Sequence, residues 1–300
     1  MKRRTLLRSV AAMAALRQIG AWAQASAEPL LKRRIPVSGA ELPVIGLGTS
    51  GAFEVGDSAA EREPLAAVLD DLLKQAGSVV DTAPSYGSAE AVLGSLLAAR
   101  AQRERCFLAT KISSYSPQAA KAQWQNSLAR LRTDKVELLQ VHSLVDLQSN
   151  LRFLRELQQA GKTRYIGVTH YRDEAHAELV DVVRREKLDF VQINYSVVSR
   201  SVERELLPLC ADRGVAVLVN RAFEDGRLFA QVKGRPLPEW AGEIDCESWG
   251  QLMLKFVLAQ PAVTCVIPAT SKPRNLLDNL GAGRGRMADA KQAQRIAALF

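Results

Sequence analysis

Cysteine and histidine are scarce in this 300-residue chain, which has four of the first and three of the second. They form no C-x-x-C pair, no H-x-x-x-H pair and no mixed His/Cys cluster, so the sequence predicts neither a disulfide framework nor a metal centre. The residues concerned are Cys106, Cys210, Cys246, Cys265, His142, His170 and His176.

Long apolar runs are also missing once the first residues are set aside. No stretch of 18 apolar residues follows them, so no membrane span and no stable membrane anchor is predicted. The formal net charge of +8 arises mostly at the start, where residues 1–23 carry basic side chains and no acidic one. The rest of the chain has 35 of the 40 Lys and Arg residues and all 32 Asp and Glu residues. It contains no stripe of basic residues interleaved with aromatic ones. Nucleic-acid binding is therefore not expected.

Residues 1–23 have the composition of an export signal. Arg3 and Arg4 precede an apolar stretch over 6–16, and Ala21 and Ala23 give the A-x-A spacing that a signal peptidase accepts. Paired arginines at this place are typical of the bacterial Tat route, so we expect the Tat machinery as a partner and the periplasm as the location. Arg17 interrupts the apolar stretch, which leaves a basic leader on a cytoplasmic protein as the alternative. Residues 30–300 are predicted to form a single domain.

Eight short β-rich runs alternate with amphipathic helical stretches. Each run is continuous and apolar, as expected of parallel strands buried on both faces. The predicted strands are 44–48, 78–82, 106–111, 136–142, 163–169, 189–195, 215–220 and 263–268, and the predicted helices include 63–74, 90–100, 118–131, 149–159, 173–185, 201–212, 248–258 and 289–299. This alternation predicts an α/β fold, a (β/α)₈ TIM barrel, with a β-hairpin over 32–44 that caps the barrel floor.

A glycine pattern on the first strand could indicate a different fold. Residues 46–51 read GLGTSG, which matches the G-x-G-x-x-G fingerprint of dinucleotide-binding Rossmann folds. That fingerprint needs a helix to begin at the motif, because the helix N-terminus holds the pyrophosphate. The loop-like sequence AFEVGDS follows instead, which excludes the Rossmann interpretation.

Polar residues end most of the predicted strands, at the face where TIM barrels carry their active sites. They are Asp81, Lys111, His142, Thr169, His170, Gln192, Asn220 and Thr270. Three of them, Asp81, Lys111 and His142, come from successive strands and could all touch one substrate. Tyr86 follows in a turn-rich segment that can bring its phenol over the barrel mouth.

These residues belong to a series of motifs in chain order. The motifs are IGLGT at 45–49, DTAPSYGSAE at 81–90, ATK at 109–111, LQVH at 139–142, IGVT at 166–169, QINY at 192–195, VIPATSK at 266–272 and DN at 278–279. Together they resemble the aldo/keto reductase family over essentially everything after the leader. The resemblance implies an oxidoreductase that reduces the aldehyde or ketone group of a small-molecule substrate with a nicotinamide cofactor.

The resemblance assigns a catalytic set to Asp81, Tyr86, Lys111 and His142. In carbonyl reduction, hydride attacks the carbonyl carbon and a proton must reach the oxygen, and Tyr86 is the expected donor. Lys111 is expected to lower the pKa of the Tyr86 phenol from about 10 toward neutrality, with Asp81 holding Lys111 charged and in place. His142 is expected to orient the carbonyl oxygen through a hydrogen bond.

The resemblance also implies a cofactor site. Gln192, Thr169 and His170 are expected to hold the carboxamide, and Tyr195 to pack near the nicotinamide ring. The family usually has Ser-Asn where this chain has Thr169-His170, so a purely structural His170 is the alternative. The other expected cofactor residues are Gly48, Thr49, Thr270, Ser271, Lys272, Asn275, Asp278 and Asn279.

The adenosine end of the expected site bears on the choice of cofactor. NADP is favoured because Lys272 can meet a 2′-phosphate. Ala269 and Asn275 stand at positions that often carry charge in one version of the family pattern, so NAD is the alternative.

The substrate pocket is less defined than the catalytic set. The loop over 221–247, with Phe223, Phe229 and Trp240, is expected to form one pocket wall, and the sequence does not indicate which carbonyl compound is reduced. A second class of function is an exported nucleotide-binding or sensor subunit of the same fold with slow turnover. The intact catalytic set favours an enzyme.

Overall fold

Eight parallel strands follow one another around a nearly closed barrel. The structure is a computed structural model that describes residues 28–74 and 77–300, so the predicted signal at 1–23 lies outside the described residues. The barrel strands are β3 Leu47–Gly48, β4 Ser78–Asp81, β5 Cys106–Ile112, β6 Val136–His142, β7 Thr163–His170, β8 Phe190–Asn194, β9 Ala216–Asn220 and β10 Val263–Val266. Parallel bridges from Ile45 to Val266 and from Gly48 to Ala269 join the first strand to the last. The predicted (β/α)₈ barrel is confirmed.

Side chains that point into the barrel fill its lower half, near the N-terminal ends of the strands. Val79, Phe107, Leu138, Tyr165 and Phe190 belong to one buried cluster, in which the aromatic rings lie 5.4 to 5.9 Å apart. Because side chains alternate along a strand, the residues next to them point outward into a larger core between strands and helices. The lower half of the interior is therefore packed, and polar side chains occupy the upper end, where TIM barrels carry their active sites.

The predicted hairpin covers the barrel floor. Its strands, β1 Lys32–Arg34 and β2 Glu41–Pro43, pair antiparallel, and Gly39 in the turn between them has a φ of +71° that favours glycine. Ile35 joins the interior cluster from below. The Arg33 guanidinium donates to the carbonyls of Gln260, at 2.8 Å, and of Val263, which begins β10. The hairpin is thus attached to the N-terminal ends of the strands, opposite the polar strand ends.

Helices surround the barrel. They are α1 Ala59–Leu72, α2 Ala89–Ala99, α3 Pro117–Leu131, α4 Leu147–Gln159, α5 His176–Arg185, α6 Leu206–Arg213, α7 Arg227–Gln231, α8 Trp249–Leu258, α9 Pro273–Gly281 and α10 Ala290–Ala297. None of the helices in the described part of the chain is long and apolar enough to cross a membrane.

Helix boundaries differ from the sequence prediction where capping decides them. The first helix begins four residues early, because the Ser58 hydroxyl accepts from the Glu61 backbone N–H and caps it. The predicted helices at 173–185 and 201–212 each begin as a short 3₁₀ turn, over Asp173–Ala175 and Ser201–Glu203. The C-terminal ends of the barrel strands lie within two residues of their predicted positions.

The four cysteines are free thiols buried in the core. Burial raises the pKa of the Cys106 thiol to about 12, and it raises the pKa of Cys210 and Cys246 to about 12 as well. Thiols with so little thiolate are poor nucleophiles at neutral pH. Among residues 28–74 and 77–300, no group of His, Cys, Asp and Glu is arranged to hold a metal ion.

Candidate active site

A cleft of about 930 Å³ opens at the C-terminal ends of the barrel strands. Its walls come from the connections that follow β3, β4, β6, β7 and β9, and from the segment after β10 that leads into α9. Asp81, Tyr86 and His142 line it, and Lys111 lies directly beneath them. The barrel therefore brings all four predicted catalytic residues to one place.

Lys111 and Asp81 form a buried ion pair at the bottom of the cleft. The Lys111 Nζ donates to Asp81 Oδ2 at 2.6 Å and to the Thr82 carbonyl at 2.8 Å, and the two side chains are 0% and 4% exposed. The other carboxylate oxygen, Oδ1, accepts from Gln192 Nε2 at 2.9 Å. Burial lowers the pKa of Lys111, but the nearby Asp81 and Tyr86 outweigh it, and the pKa lies above its usual value. Lys111 is accordingly a fixed positive charge.

Tyr86 stands over this pair. A turn stabilised by the bond from the Tyr86 N–H to the Ala83 carbonyl, at 3.1 Å, returns the chain over the barrel mouth. The Lys111 Nζ then lies 4.9 Å from the centre of the phenol ring, and the His142 ring lies edge-on at 6.1 Å. A substrate atom placed between Tyr86 and His142 would be within reach of two hydrogen-bonding groups.

The electrostatics of Tyr86 differ from the sequence-based expectation. Burial raises the pKa of its phenol, Lys111 opposes this rise, and the Asp81 carboxylate adds to it, so that the pKa lies above its usual value. We predicted a shift toward neutrality because the motif shows the charge of Lys111 but not the desolvation of the ring. Tyr86 is therefore a protonated phenol at neutral pH.

His142 is neutral at physiological pH. Burial lowers the pKa of its imidazole to about 3, and the positive charge of Lys111 adds to the effect. A neutral imidazole keeps one N–H to donate and one nitrogen to accept. The residue can thus orient a carbonyl oxygen without competing with Tyr86 as the acid.

Most of the predicted cofactor residues also line the cleft. They are Gly48, Thr49, Thr169, Gln192, Thr270, Ser271, Lys272 and Asn275. The Thr169 hydroxyl donates to Gln192 Oε1 at 2.8 Å, and the Gln192 amide in turn donates to Asp81. This chain of bonds fixes the Gln192 side chain between the ion pair and the cleft.

Four predicted cofactor residues lie elsewhere. His170 lines a neighbouring cavity of about 650 Å³, where it stacks on Tyr171. Asp278 accepts from the Ser248 hydroxyl and from Gln251, and Asn279 is buried in α9.

Tyr195 is the clearest correction among these four. Its phenol donates to Glu203 at 2.7 Å and its ring packs against Phe256, in the core between strands and helices. The period of two along β8 explains this position, since Gln192 faces inward and the residues at odd numbers face outward.

The structure adds lining residues that the sequence analysis did not select. Tyr171 and Arg221 lie in the wall that separates the cleft from the neighbouring cavity. Phe223 and Phe229 line the cleft as expected, with rings 4.9 Å apart. Trp240, by contrast, packs against the Arg295 guanidinium, 4.3 Å from its ring centre. The sequence signals for Arg221 are its place directly after a polar strand end and at the start of the loop over 221–247 that was expected to form a pocket wall.

The chain is similar to known proteins in sequence and in fold. The chain is 32% identical to the aldo-keto reductase YhdN of Bacillus subtilis over 211 residues, which span 64% of this chain and 61% of that protein. It is 24% identical over 266 residues to the NADH-specific methylglyoxal reductase of Escherichia coli, covering 71% of this chain and 80% of that one. A crystal structure of an aldo/keto reductase from Klebsiella pneumoniae in complex with NADP and acetate is 26% identical, with a TM-score of 0.68 over 87% of this chain and 93% of that one. Residues 44–299 match the family model for aldo/keto reductases, and the chain therefore belongs to the aldo/keto reductase family.

Proposed function

We propose that this protein is an NADP-dependent oxidoreductase that reduces aldehydes and ketones, with Tyr86 as the proton donor. The observation that carries the proposal is the convergence of Tyr86, His142 and the buried Lys111–Asp81 pair on one cleft of a chain from this family. Each of these residues has a separate task in carbonyl reduction.

The proton comes from Tyr86 Oη. His142 donates a hydrogen bond to the substrate carbonyl oxygen and directs it at the phenol. As the proton leaves, negative charge develops on Tyr86, and the positive charge of Lys111, 4.9 Å from the ring centre, stabilises it. Asp81 keeps Lys111 charged and in position through their bond of 2.6 Å.

The residues of the cleft fit a nicotinamide cofactor. Asn220 Oδ1 and Arg221 Nε are buried without a hydrogen-bond partner among the described residues, and such polar atoms are normally satisfied by a ligand or water. Gln192 and Thr169 would hold the carboxamide, and the reduced ring would supply hydride to the carbonyl carbon.

The same cleft offers a cation for a 2′-phosphate. Lys272 lines it directly before the first turn of α9, where backbone N–H groups also favour an anion. The relatives differ in cofactor, since the Klebsiella protein is in complex with NADP and the Escherichia coli enzyme is named NADH-specific. We favour NADP because Lys272 and Ser271 stand together at this end of the cleft.

The direct test is to identify the nucleotide and then the reaction. Mass spectrometry of the nucleotide released from the denatured protein should detect NADP(H), and a panel of aldehydes and ketones should be reduced with NADPH. Nucleotide release without reduction of any carbonyl would favour a nucleotide-binding or sensor subunit instead. Failure to bind either nucleotide would contradict both functions.

The pH dependence of reduction should reflect the raised pKa of Tyr86. Reduction needs the protonated phenol, so kcat/KM should stay level from neutral pH to about pH 10 and fall above it. His142 should add no transition in this range, because its pKa of about 3 leaves it neutral throughout. A pH profile of kcat/KM with NADPH measures this, and a fall centred near neutral pH would contradict a raised pKa in the free enzyme.

We also propose that the protein is exported by the Tat route, on the basis of Arg3, Arg4 and the A-x-A spacing at Ala21 and Ala23. Replacing both arginines with lysine should leave uncleaved precursor in the cytoplasm, because Tat export depends on the arginine pair. Cell fractionation with N-terminal sequencing should find a mature protein beginning at or near Gln24 in the periplasm. Uncleaved wild-type protein in the cytosol would show that the leader is not a functional signal.

A further inference from the structure

Arg221 lies in the wall between the cleft and the neighbouring cavity, and its guanidinium is only partly used. Nη1 donates to the Tyr171 carbonyl at 3.2 Å, and Nη2 donates to the Asp225 carboxylate. The third nitrogen, Nε, is buried and has no hydrogen-bond partner in the part of the chain that the structure describes. A buried donor without an acceptor is costly, and such groups are normally satisfied by a bound ligand or an ordered water.

The two nitrogens Nε and Nη2 form one edge of the guanidinium. A carboxylate or phosphate group binds such an edge through two parallel hydrogen bonds, the strongest arrangement available to arginine. In the unliganded protein Asp225 occupies only the Nη2 half of this edge, and its side chain is 64% exposed. An exposed carboxylate of this kind contributes little and is readily displaced by a ligand.

The backbone around Arg221 is held in an uncommon conformation. Arg221, Glu224 and Asp225 all have a positive φ, between 51° and 55°, which residues other than glycine rarely adopt. Such conformations cluster at ligand-binding segments, where the surrounding structure maintains them. Here the conformation directs the Arg221 side chain from the end of β9 across to the backbone of Tyr171.

The other cations near this wall are less suited to the role. Arg227 pairs with Glu224 at 2.8 Å and faces the neighbouring cavity, as does Arg172. Among the described residues, Arg221 and Lys272 are the arginine and lysine side chains that line the cleft. Lys272 belongs to the end of the cleft near α9.

We propose that Arg221 binds an oxyanion of a ligand in the cleft through Nε and Nη2, displacing Asp225. This inference rests on the proposed function for the identity of the ligands. The oxyanion has two sources in that reaction, the pyrophosphate that NADPH and NADH share, and a carboxylate carried by the carbonyl substrate.

The test compares wild type with Arg221→Gln in the full-length protein. Fluorescence titration gives Kd for NADPH and NADH, and steady-state kinetics compare 4-carboxybenzaldehyde with its methyl ester, which has the same aldehyde but no charge. If the oxyanion is the pyrophosphate, both Kd values should rise by the same factor, about tenfold. If it is the substrate carboxylate, kcat/KM should fall about tenfold for the acid only.

Two further variants keep the result interpretable. Arg227→Gln removes a neighbouring arginine that faces the other cavity and should change none of these constants. Asp225→Asn removes the competing carboxylate and should strengthen, by a few-fold, the same constant that Arg221→Gln weakens. The results for Arg227→Gln and Asp225→Asn can be interpreted even if Arg221→Gln folds poorly, and thermal unfolding would reveal such a folding defect.

Several outcomes would overturn the proposal. One is an active wild type whose Kd and kcat/KM values do not change in Arg221→Gln. Another is an equal loss of kcat/KM for the acid and its ester without a change in nucleotide affinity. A third is weaker binding of nucleotide or acid in Asp225→Asn. A wild type that binds neither nucleotide and reduces neither aldehyde would instead refute the proposed function, and this inference with it.

Discussion

Replacing Tyr86 with phenylalanine should lower the turnover number for carbonyl reduction by about 10²-fold or more. The variant removes the phenolic proton but keeps the ring that packs beside His142 and over Lys111. Nucleotide affinity should therefore stay within a few-fold of wild type, because the expected cofactor contacts lie on other residues of the cleft. Single-turnover reduction of an aldehyde by bound NADPH, with Kd measured separately, would distinguish lost chemistry from lost binding.

A matched control is available in Tyr115. This residue follows β5, is 83% exposed and belongs to the same face of the barrel without lining the cleft, so Tyr115→Phe should behave as wild type. Turnover in Tyr86→Phe equal to that of the control would remove Tyr86 as the acid. A large loss of nucleotide affinity in Tyr86→Phe would instead indicate a structural role for the phenol.

Lys272→Ala should weaken NADPH binding by roughly ten- to a hundredfold and leave NADH binding nearly unchanged. A charge-assisted bond to a 2′-phosphate in a partly exposed groove contributes about 1–3 kcal/mol, and NADH has no such phosphate. The backbone contacts of this residue do not depend on its side chain, since its N–H donates to the Thr270 hydroxyl and its carbonyl accepts from Asn275. The start of α9 should therefore be preserved in the alanine variant.

Arg274 provides the comparison for this experiment. It is exposed in the first turn of α9, two residues beyond Lys272, so it is the rival cation for the same phosphate. Fluorescence titration with NADPH and NADH should show the loss of NADPH affinity in Lys272→Ala and not in Arg274→Ala. A loss of NADPH affinity confined to Arg274→Ala would assign the 2′-phosphate contact to Arg274 instead of Lys272. Equal affinity of the wild type for both nucleotides would refute the NADP assignment.

The strand ends were predictable because the information that defines them is local. A short apolar run followed by a polar residue, as in SVVD at β4, shows both that the strand is buried and where it reaches the surface. Once eight such runs form a parallel barrel, their ends must meet on one face, which brings Asp81, Lys111 and His142 together. For the same reason the approximate position of the cleft followed from the sequence.

Residues at or just beyond the end of a strand were harder to place, as His170 and Tyr195 show. Both belong to motifs that resemble the family pattern, yet Tyr195 packs outward against Phe256 and His170 stacks on Tyr171 in the neighbouring cavity. The ring partner of Tyr195 comes from a segment some sixty residues away in the chain, whereas His170 stacks on its neighbour in the chain. A motif specifies the residue type, but the surroundings of its side chain depend on which segments the fold brings against it.

The sequence by itself therefore determined the barrel, the order of its strands and the meeting of Asp81, Lys111 and His142 at one end of it, because these follow from local hydrophobic patterns and from chain order. Only the tertiary structure decided that the pKa of Tyr86 is raised rather than lowered and that Arg221 Nε, in the cleft wall, has no hydrogen-bond partner among residues 28–74 and 77–300. The physical reason is the same for both. Desolvation and hydrogen-bond satisfaction are sums over neighbours from many segments, and folding alone brings those neighbours into contact.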